Sequence, residues 1–268
     1  MRIAFLGGGN MATALIGGLL AKGAEARSIA VVEVSPAARE RLGARFPVHI
    51  ATAPDAALQR SDVLVIAVKP QDAKAALASV SVHKQLVISI AAGLTLDTLS
   101  RWMGGHRRLV RCMPNTPALI GAGIAGLYAL PEVSAQERKT AQTILGAVGE
   151  VVWVPEERLL DPVTAVSASG PAYVFWFIEQ LAAAGERLGL GKDVSLKLAM
   201  HTVLGAAKLA VSSNEPPATL RKNVTSKGGT TEAALKVFDE EQLAQRFVRA
   251  VAAASERASE LGKELGKD

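Results

Sequence analysis

The sequence predicts an α/β protein in which a doubly wound parallel sheet is followed by an all-helical C-terminal region that dimerises. Short apolar runs alternate with helical segments through the first half of the chain, and long helical patterns dominate after residue 155. We therefore expect a domain over 1–155 and a second over 156–268, an organisation that the length of 268 residues allows.

Seven runs in the first half predict buried strands. Each is short and apolar, and most end at glycine, proline or a polar residue, as strands covered on both faces do. Because helical segments separate the first five, the connections are crossovers and the sheet is expected to be parallel. The runs cover 3–7, 29–34, 62–70, 86–93, 108–114, 123–130 and 149–156.

Three of the intervening helices have predictable ends. Gly23 is placed to end the helix after the first strand, because glycine readily adopts the left-handed conformation of a helix C-terminus. Ser35 stands before Pro36 and predicts an N-cap with proline in the first turn. Thr95 predicts the N-cap of the helix over TLDTLSRWM.

The second half reads as long, alanine-rich helices. Asp193 predicts the start of one, and Asp239 with Gln242 three positions later predicts a capping box before the last. Such helices bury little area individually, so we expect them to pack against a second copy of the chain.

Composition argues against several classes of protein. The formal charge of +5 is spread along the chain, and the one basic cluster, Arg107, Arg108 and Arg111, lacks the interleaved aromatics of a nucleic-acid surface. The single cysteine, Cys112, excludes an internal disulfide and lies in an apolar run, so we expect a buried thiol. The four histidines lack ligand spacing, and no metal is expected.

The N-terminus begins with a strand and a turn, without the apolar stretch and cleavage site of a signal peptide. No run of about eighteen uncharged apolar residues occurs that would span a membrane. We therefore expect a cytoplasmic protein without a membrane partner.

A glycine-rich turn lies between the first strand and its helix. Gly7, Gly9 and Ala12 form the G-x-G-x-x-A pattern of Rossmann-type dinucleotide-binding domains. Gly7 allows the tight turn, Gly9 lets the backbone approach a pyrophosphate, and Ala12 keeps helix and strand close. The helix N-terminus then faces the phosphates. The predicted contacts in this turn are Gly7, Gly8, Gly9, Asn10, Met11 and Ala12.

Glu33 ends the second strand, about 20 residues after the turn, where an acid binds the ribose 2′-hydroxyl of NAD. A carboxylate there repels the 2′-phosphate of NADP. Ser35, Arg39 and Arg41 are near enough in sequence to hold that phosphate if Glu33 turns away. The sequence leaves NADH and NADPH equally open.

The ends of the later strands are expected to complete the cofactor cleft. In doubly wound sheets, ligands bind outside the carboxyl ends of the strands, where these turns lie. The predicted contacts are Ala67, Val68, Lys69, Pro70, Ala92, Gly93, Met113, Pro114 and Asn115.

Six segments occur in an order that resembles the pyrroline-5-carboxylate reductase family: GGGNMATALIGGLL, AVKPQ, SIAAG, MPNTPALIGAG, SASGPAYVFWFIE and TSKGGTTEAAL. The resemblance implies reduction of 1-pyrroline-5-carboxylate to L-proline, the last step of proline biosynthesis, with NADPH or NADH. It also implies dimers that interlock through their helical domains, many of which assemble into rings.

The segment TSKGGTTEAAL is the expected substrate loop. Glycine N–H groups and a helix N-terminus favour a carboxylate, and a threonine hydroxyl can donate to an imine nitrogen. The resemblance implies that Thr231 is the catalytic residue. The alternative is that the threonines only cap the helix. The predicted substrate contacts are Ser226, Gly228, Gly229, Thr230 and Thr231.

Three positions depart from the family pattern: Lys227 stands where proline is usual, Lys222 where an acid is usual, and Ala168 where glycine is usual. Two rival functions also remain open. One is a hydroxyacid or imine reductase, a class in which hydroxyacid enzymes use a helical lysine as acid. The other is a cofactor-binding protein without catalysis, which needs no second glycine loop.

Overall fold

The computed structural model describes residues 1–267, which form two compact units. Unit 1 comprises Met1–Ser169 together with the C-terminal residues from Ala254 onward, and unit 2 comprises Gly170–Ala253. Packing therefore divides the chain differently from the expected domains 1–155 and 156–268, which stay a prediction.

Unit 1 is built on one eight-stranded sheet, which confirms the α/β fold class. The strand order is β3-β2-β1-β4-β5-β6-β7-β8, the doubly wound arrangement in which the chain reverses direction across the sheet beside β1. The strands are β1 (Ile3–Leu6), β2 (Ile29–Val32), β3 (His49–Ala51), β4 (Val63–Ile66), β5 (Leu86–Ser89), β6 (Leu109–Met113), β7 (Gly123–Ala129) and β8 (Gly149–Trp153).

The sheet is not entirely parallel, which corrects the prediction. β6 and β7 pair antiparallel, while every other neighbouring pair is parallel. The link between them holds only a 3₁₀ segment, Thr116–Ile120, and a parallel crossover needs about a dozen residues or more. The chain therefore turns back on itself.

β3 was not predicted from the sequence. It has three residues, all at least partly exposed, and it forms the edge of the sheet beside β2. A strand this short and this exposed leaves no apolar run for sequence reasoning to detect.

Helices cover both faces of the sheet. Alternate residues of β1 show the division, since Ile3 and Phe5 join one buried cluster while Ala4 and Leu6 join the other. The helices of this part are α1 (Asn10–Ala21), α2 (Pro36–Arg45), α3 (Ala56–Gln59), α4 (Ala73–Ala78), α5 (Leu96–Trp102), α6 (Ala135–Leu145) and α7 (Leu160–Val163), followed by a π-helical turn over Thr164–Ala168.

The three predicted helix ends in unit 1 are confirmed. Ser35 Oγ accepts from the Ala38 N–H at 3.4 Å, and Thr95 Oγ1 accepts from the Thr98 N–H at 3.2 Å. Gly23 follows α1 with φ +91°.

Unit 2 is helical, as predicted, but two helix starts were misjudged. The helices are α8 (Gly170–Arg187), α9 (Lys192–Ser212), α10 (Pro217–Asn223), α11 (Thr230–Glu240) and α12 (Leu243–Leu265), whose last turns belong to unit 1. Gly191, not Asp193, is the N-cap of α9, and Asp239 lies inside α11. The break before α12 falls at Gln242, whose φ of +53° ends the preceding helix.

The end of α12 packs on the turn after β5. A Cβ on Gly262 would lie 3.1 Å from the Gly93 carbonyl oxygen, and a Cβ on Gly93 would lie 2.9 Å from Leu265 Cδ1. Leu265 in turn packs against the buried cluster that covers one face of the sheet. The end of α12 is therefore part of unit 1.

Candidate functional site

The first turn of the site lies at the topological switch point of the sheet. β1 has β2 on one side and β4 on the other, so the loops after β1 and β4 meet. Gly7 has φ +102°, and a Cβ there would lie 2.8 Å from the backbone of Ala67 and Val68. Only glycine satisfies both the conformation and the close approach.

The next two glycines differ in what surrounds them. Gly8 is buried, and a Cβ would lie 2.4 Å from Leu42 Cδ1. Gly9 is the N-cap of α1, and a Cβ there would meet nothing within 4 Å. Ala12 is buried under the sheet core. The open space at Gly9, with the N-terminus of α1 beside it, fits a pyrophosphate approached by backbone N–H groups.

Glu33 lies beside this turn with both carboxylate oxygens engaged. Its Oε2 accepts from the Gly8 N–H and its Oε1 accepts from the Ser35 N–H, each at 2.7 Å. Arg39 Nη1 donates to the Glu33 carbonyl at 3.0 Å and to the Val34 carbonyl at 2.7 Å. The side chain of Glu33 therefore faces the glycine turn and does not turn away.

Residues after β4 and β5 line the same edge of the sheet. Lys69 is exposed and Pro70 opens a 3₁₀ turn, while Ala92 is exposed and Gly93 has φ +78°. Asn10 and Met11, at the start of α1, are exposed and half-buried respectively. The parallel register aligns the carboxyl ends of β1, β2 and β4, as Leu6 pairs with both Val32 and Ile66.

Asn115, which follows β6, is buried, and both its amide nitrogen and its amide oxygen are hydrogen-bonded. Its amide nitrogen donates to the Ser167 carbonyl at 3.1 Å, and its amide oxygen accepts from the Ile124 N–H at 3.0 Å. The side chain thus fixes the turn after Met113 and Pro114 to the π-helical segment. Asn115 therefore positions that turn, and its contact with a cofactor stays a prediction.

The arginines of the predicted basic cluster all have acidic partners. Arg107 pairs with Glu132, and Arg108 pairs with Glu137. Arg111 is buried and contacts Glu157 at 3.0 Å and Asp161 at 3.8 Å. The cluster is therefore built into the fold rather than presented as a basic surface.

The Arg111 network was missed from the sequence. Glu157 Oε1 also accepts from the Leu96 N–H at 2.8 Å, so one carboxylate joins β6 to the start of α5. Burial raises the pKa of Asp161, while the charges of Arg111 and Lys263 oppose that shift. These groups border a cavity of about 490 Å³. No signal in the sequence connected Arg111 with acids more than forty positions away.

In unit 2, the predicted substrate loop begins with a tight turn. The Gly229 N–H donates to the Ser226 carbonyl at 3.0 Å, and Gly228 has φ +73°. The Gly228 N–H donates to Glu232 Oε2 at 2.6 Å. Both glycine N–H groups therefore have acceptors within the chain, and a contact of Gly228 and Gly229 with the substrate stays a prediction.

Helix α11 begins directly after this turn, with Gly229 as its N-cap and no side-chain capping bond. The alternative that the threonines only cap the helix is therefore wrong. The N–H groups of Thr230, Thr231 and Glu232 open the helix, where backbone donors lack an intrahelical partner. Thr231 is half-buried, whereas Thr230 and Lys227 are exposed.

Cys112 is buried, and burial raises the pKa of its thiol far above the ordinary value, so the expectation of a buried thiol is confirmed. Among residues 1–267, no three histidine, cysteine or carboxylate side chains form a group that could hold a metal ion.

One helix, α9, is long and apolar enough to cross a membrane by length and composition alone, which the sequence analysis did not anticipate. Only 11% of its most apolar window is buried inside the single chain. An apolar helix that packs against another protein chain passes the same test.

Comparison with known proteins identifies the family. The pyrroline-5-carboxylate reductase dimerisation domain matches residues 157–261, and an NADP oxidoreductase domain described as coenzyme F420-dependent matches residues 2–93. A Pseudomonas aeruginosa protein named pyrroline-5-carboxylate reductase is 45% identical, covering 99% of this chain and 98% of its own.

Two solved structures share the fold over nearly the whole chain. A pyrroline-5-carboxylate reductase from Coxiella burnetii is 40% identical with a TM-score of 0.92, covering 97% of this chain and 98% of its own. A Plasmodium falciparum pyrroline carboxylate reductase with NADP bound is 28% identical with a TM-score of 0.84, covering 98% of each chain. This chain therefore belongs to the pyrroline-5-carboxylate reductase family.

Proposed function

We propose that this chain reduces 1-pyrroline-5-carboxylate to L-proline, the last step of proline biosynthesis, with NADH or NADPH as hydride donor. The observation that carries the proposal is the full-length identity of 45% to a pyrroline-5-carboxylate reductase. Two glycine turns also support it, because the turn in unit 1 suits a dinucleotide and the turn in unit 2 suits a small carboxylate.

The cofactor half is assigned to the strand ends of unit 1. When bound, the nicotinamide supplies hydride to the ring carbon of the substrate C=N bond. The turn at Gly7 and Gly9 and the N-terminus of α1 would hold the pyrophosphate. Ala67, Val68 and Gly93 follow neighbouring strands at the same edge, where they would border the rest of the cofactor.

The substrate half is assigned to the start of α11. Because the N–H groups of Gly228 and Gly229 are already bonded, the donors left for the substrate carboxylate are those of Thr230, Thr231 and Glu232. The positive end of the helix dipole favours an anion at the same place. Ser226 and the two glycines shape the turn that presents these donors.

Thr231 is assigned to the imine nitrogen. Its hydroxyl is not used for helix capping, so it is free to donate toward the ring nitrogen. A threonine hydroxyl is too weak an acid to be the ultimate proton source. Its role is to orient the C=N bond and to stabilise developing charge, while water delivers the proton that becomes the N–H of proline.

We assign the apolar helices of unit 2 to a homodimer, several of which assemble into a larger ring in the cytoplasm. Neither a nucleic acid nor a membrane is among the proposed partners. The support is the dimerisation domain match over 157–261 and the exposed apolar side chains of α8 and α9.

The decisive experiment measures loss of nicotinamide absorbance with 1-pyrroline-5-carboxylate as substrate. We expect turnover by the wild type, a drop of about 10²–10³-fold in kcat for Thr231→Ala, and partial recovery in Thr231→Ser. Thr230→Ala is the matched control at the adjacent position and is expected to cost less than Thr231→Ala.

Three outcomes would contradict the proposal at different levels. No oxidation of NADH or NADPH by the wild type would remove the activity itself. Unchanged kcat in Thr231→Ala would leave the activity and remove the assigned role of Thr231. Turnover of 2-hydroxyacid substrates at a comparable rate would favour the rival dehydrogenase function.

A further inference from the structure

The sequence leaves the choice between NADH and NADPH open, and Glu33 is the residue on which it depends. Glu33 immediately follows β2 and lies beside the glycine turn after β1. In doubly wound domains, the adenosine ribose of a dinucleotide binds at this strand end. The inference therefore rests on the proposed cofactor half of the site.

The carboxylate of Glu33 is fixed from two sides. One oxygen accepts from the Gly8 N–H and the other from the Ser35 N–H, both at 2.7 Å. Turning the side chain away would leave the partly buried Gly8 N–H without a partner, which is costly, and would leave the exposed Ser35 N–H to water. Glu33 is thus held where it faces an incoming ribose.

The fixed carboxylate of Glu33 can still accept hydrogen bonds from the two hydroxyls of a ribose. Each carboxylate oxygen accepts two hydrogen bonds, and the backbone uses one on each. The remaining acceptor positions suit the hydroxyl donors of an unmodified ribose. A 2′-phosphate offers no such donor and places a second negative charge beside the first, which disfavours its binding.

Arg39, one of the two cations considered from the sequence, has one nitrogen bonded to the backbone. Its Nη1 donates to the carbonyls of Glu33 and Val34, which ties the guanidinium to the end of β2. Arg41, the other cation considered from the sequence, is exposed on α2. Of these three groups, Glu33 is the one bonded to the glycine turn.

We propose that Glu33 selects NADH over NADPH by binding the adenosine ribose diol and repelling a 2′-phosphate. The Plasmodium falciparum relative, which holds NADP, is only 28% identical to this chain. The proposal concerns this chain's own residues at the ribose and not the family as a whole.

The test uses binding in the absence of substrate, so that it is independent of catalysis. Isothermal titration compares ADP-ribose with 2′-phospho-ADP-ribose on the full-length wild type. We expect ADP-ribose to bind at least about tenfold more tightly, because like charges side by side repel each other. In Glu33→Ser the ratio should move at least about tenfold toward the 2′-phosphorylated ligand.

Two further variants keep the test sharp. Glu33→Gln keeps one oxygen acceptor and removes the charge. Its ratio should also move toward the 2′-phosphorylated ligand, even if Glu33→Ser disturbs the turn at Gly8. Arg39→Gln should change the wild-type ratio by less than the Glu33 variants do. Melting temperatures of all variants confirm that they remain folded.

The proposal is overturned if the wild type binds 2′-phospho-ADP-ribose more tightly, or if neutral residues at 33 leave the ratio unchanged. Turnover of 1-pyrroline-5-carboxylate with a preference for NADPH would also overturn it while supporting the proposed function. If the wild type showed no turnover but bound ADP-ribose clearly more tightly, the proposed function would be contradicted and the role of Glu33 would be supported.

Discussion

Lys227 has a definite place in the substrate loop. Ser226 to Gly229 form a four-residue turn, closed by the bond from the Gly229 N–H to the Ser226 carbonyl. Lys227 is the second residue of this turn, and Gly228, with φ +73°, is the third. Type II turns need positive φ at the third position and favour proline at the second. The proline usual in the family therefore has a conformational reason.

Replacing Lys227 by proline should stabilise the protein. Proline at the second position of such a turn restricts the unfolded chain, and compatible substitutions gain about 0.4–1 kcal/mol. Urea unfolding at a fixed protein concentration measures the difference in free energy. Lys227→Ala, which removes the charge without restricting φ, should lie within about 0.5 kcal/mol of the wild type. A loss of stability in Lys227→Pro would show that the turn needs a backbone that proline cannot adopt.

At the scale of residues, sequence reasoning succeeded where the controlling interaction is local. The positive φ of Gly7 and the N-cap bond of Ser35 depend on the backbone within a few positions, and both residues were predicted. Asn115 was placed correctly after β6, but its partners Ser167 and Ile124 lie elsewhere in the chain. Tertiary packing determines which atoms of a polar side chain are already hydrogen-bonded. A local sequence pattern does not predict this.

The same limit appears at the scale of elements. Strand and helix alternation predicted five strands of the parallel sheet, because each buried strand has its own apolar run. The direction of β7 depends on the length and course of its connection, and the start of α12 depends on the backbone at Gln242. Neither is determined by apolar periodicity alone.

The contact of α12 with the turn after β5 gives a prediction for an element. A side chain larger than hydrogen at Gly262 must displace the Gly93 backbone, whose oxygen lies 3.1 Å from the ideal Cβ position. We expect Gly262→Leu to destabilise the protein by about 1–3 kcal/mol, the range for overpacked sites.

Thermal or urea unfolding measures the effect. The matched control is Glu256→Leu, on an exposed position of the same helix, which should change stability by less than about 0.5 kcal/mol. Equal stability of Gly262→Leu and the wild type would mean that the end of α12 is not held against Gly93.

At the scale of the whole molecule, unit 2 has apolar side chains that the single chain leaves uncovered. Phe175, Trp176 and Phe177 on α8 are 60%, 58% and 48% exposed, and α9 adds several exposed leucines. Contiguous apolar surface of this kind marks a protein interface. Light scattering after gel filtration should therefore give a mass of at least twice the 27.9 kDa chain.

Introducing charge on that surface should weaken the assembly. We expect Phe175→Glu to shift the mass toward the single chain, because a buried unpaired carboxylate is costly at an apolar interface. Gln180→Glu, on an exposed position of the same helix, is the matched control and should leave the mass unchanged if it lies outside the interface. A wild type that runs as a single chain at micromolar concentration would contradict the assignment of a dimer.

The return of α12 to the first unit also bears on how unit 1 folds during synthesis. Domains generally fold as they leave the ribosome, starting from the N-terminus. Unit 1 contains the first residues of the chain, yet Gly262 and Leu265 are among its packing partners. Unit 1 therefore cannot complete its packing until the end of α12 has been synthesised. A nascent chain that stops before α12 lacks the contacts of Gly262 and Leu265 with the turn after β5.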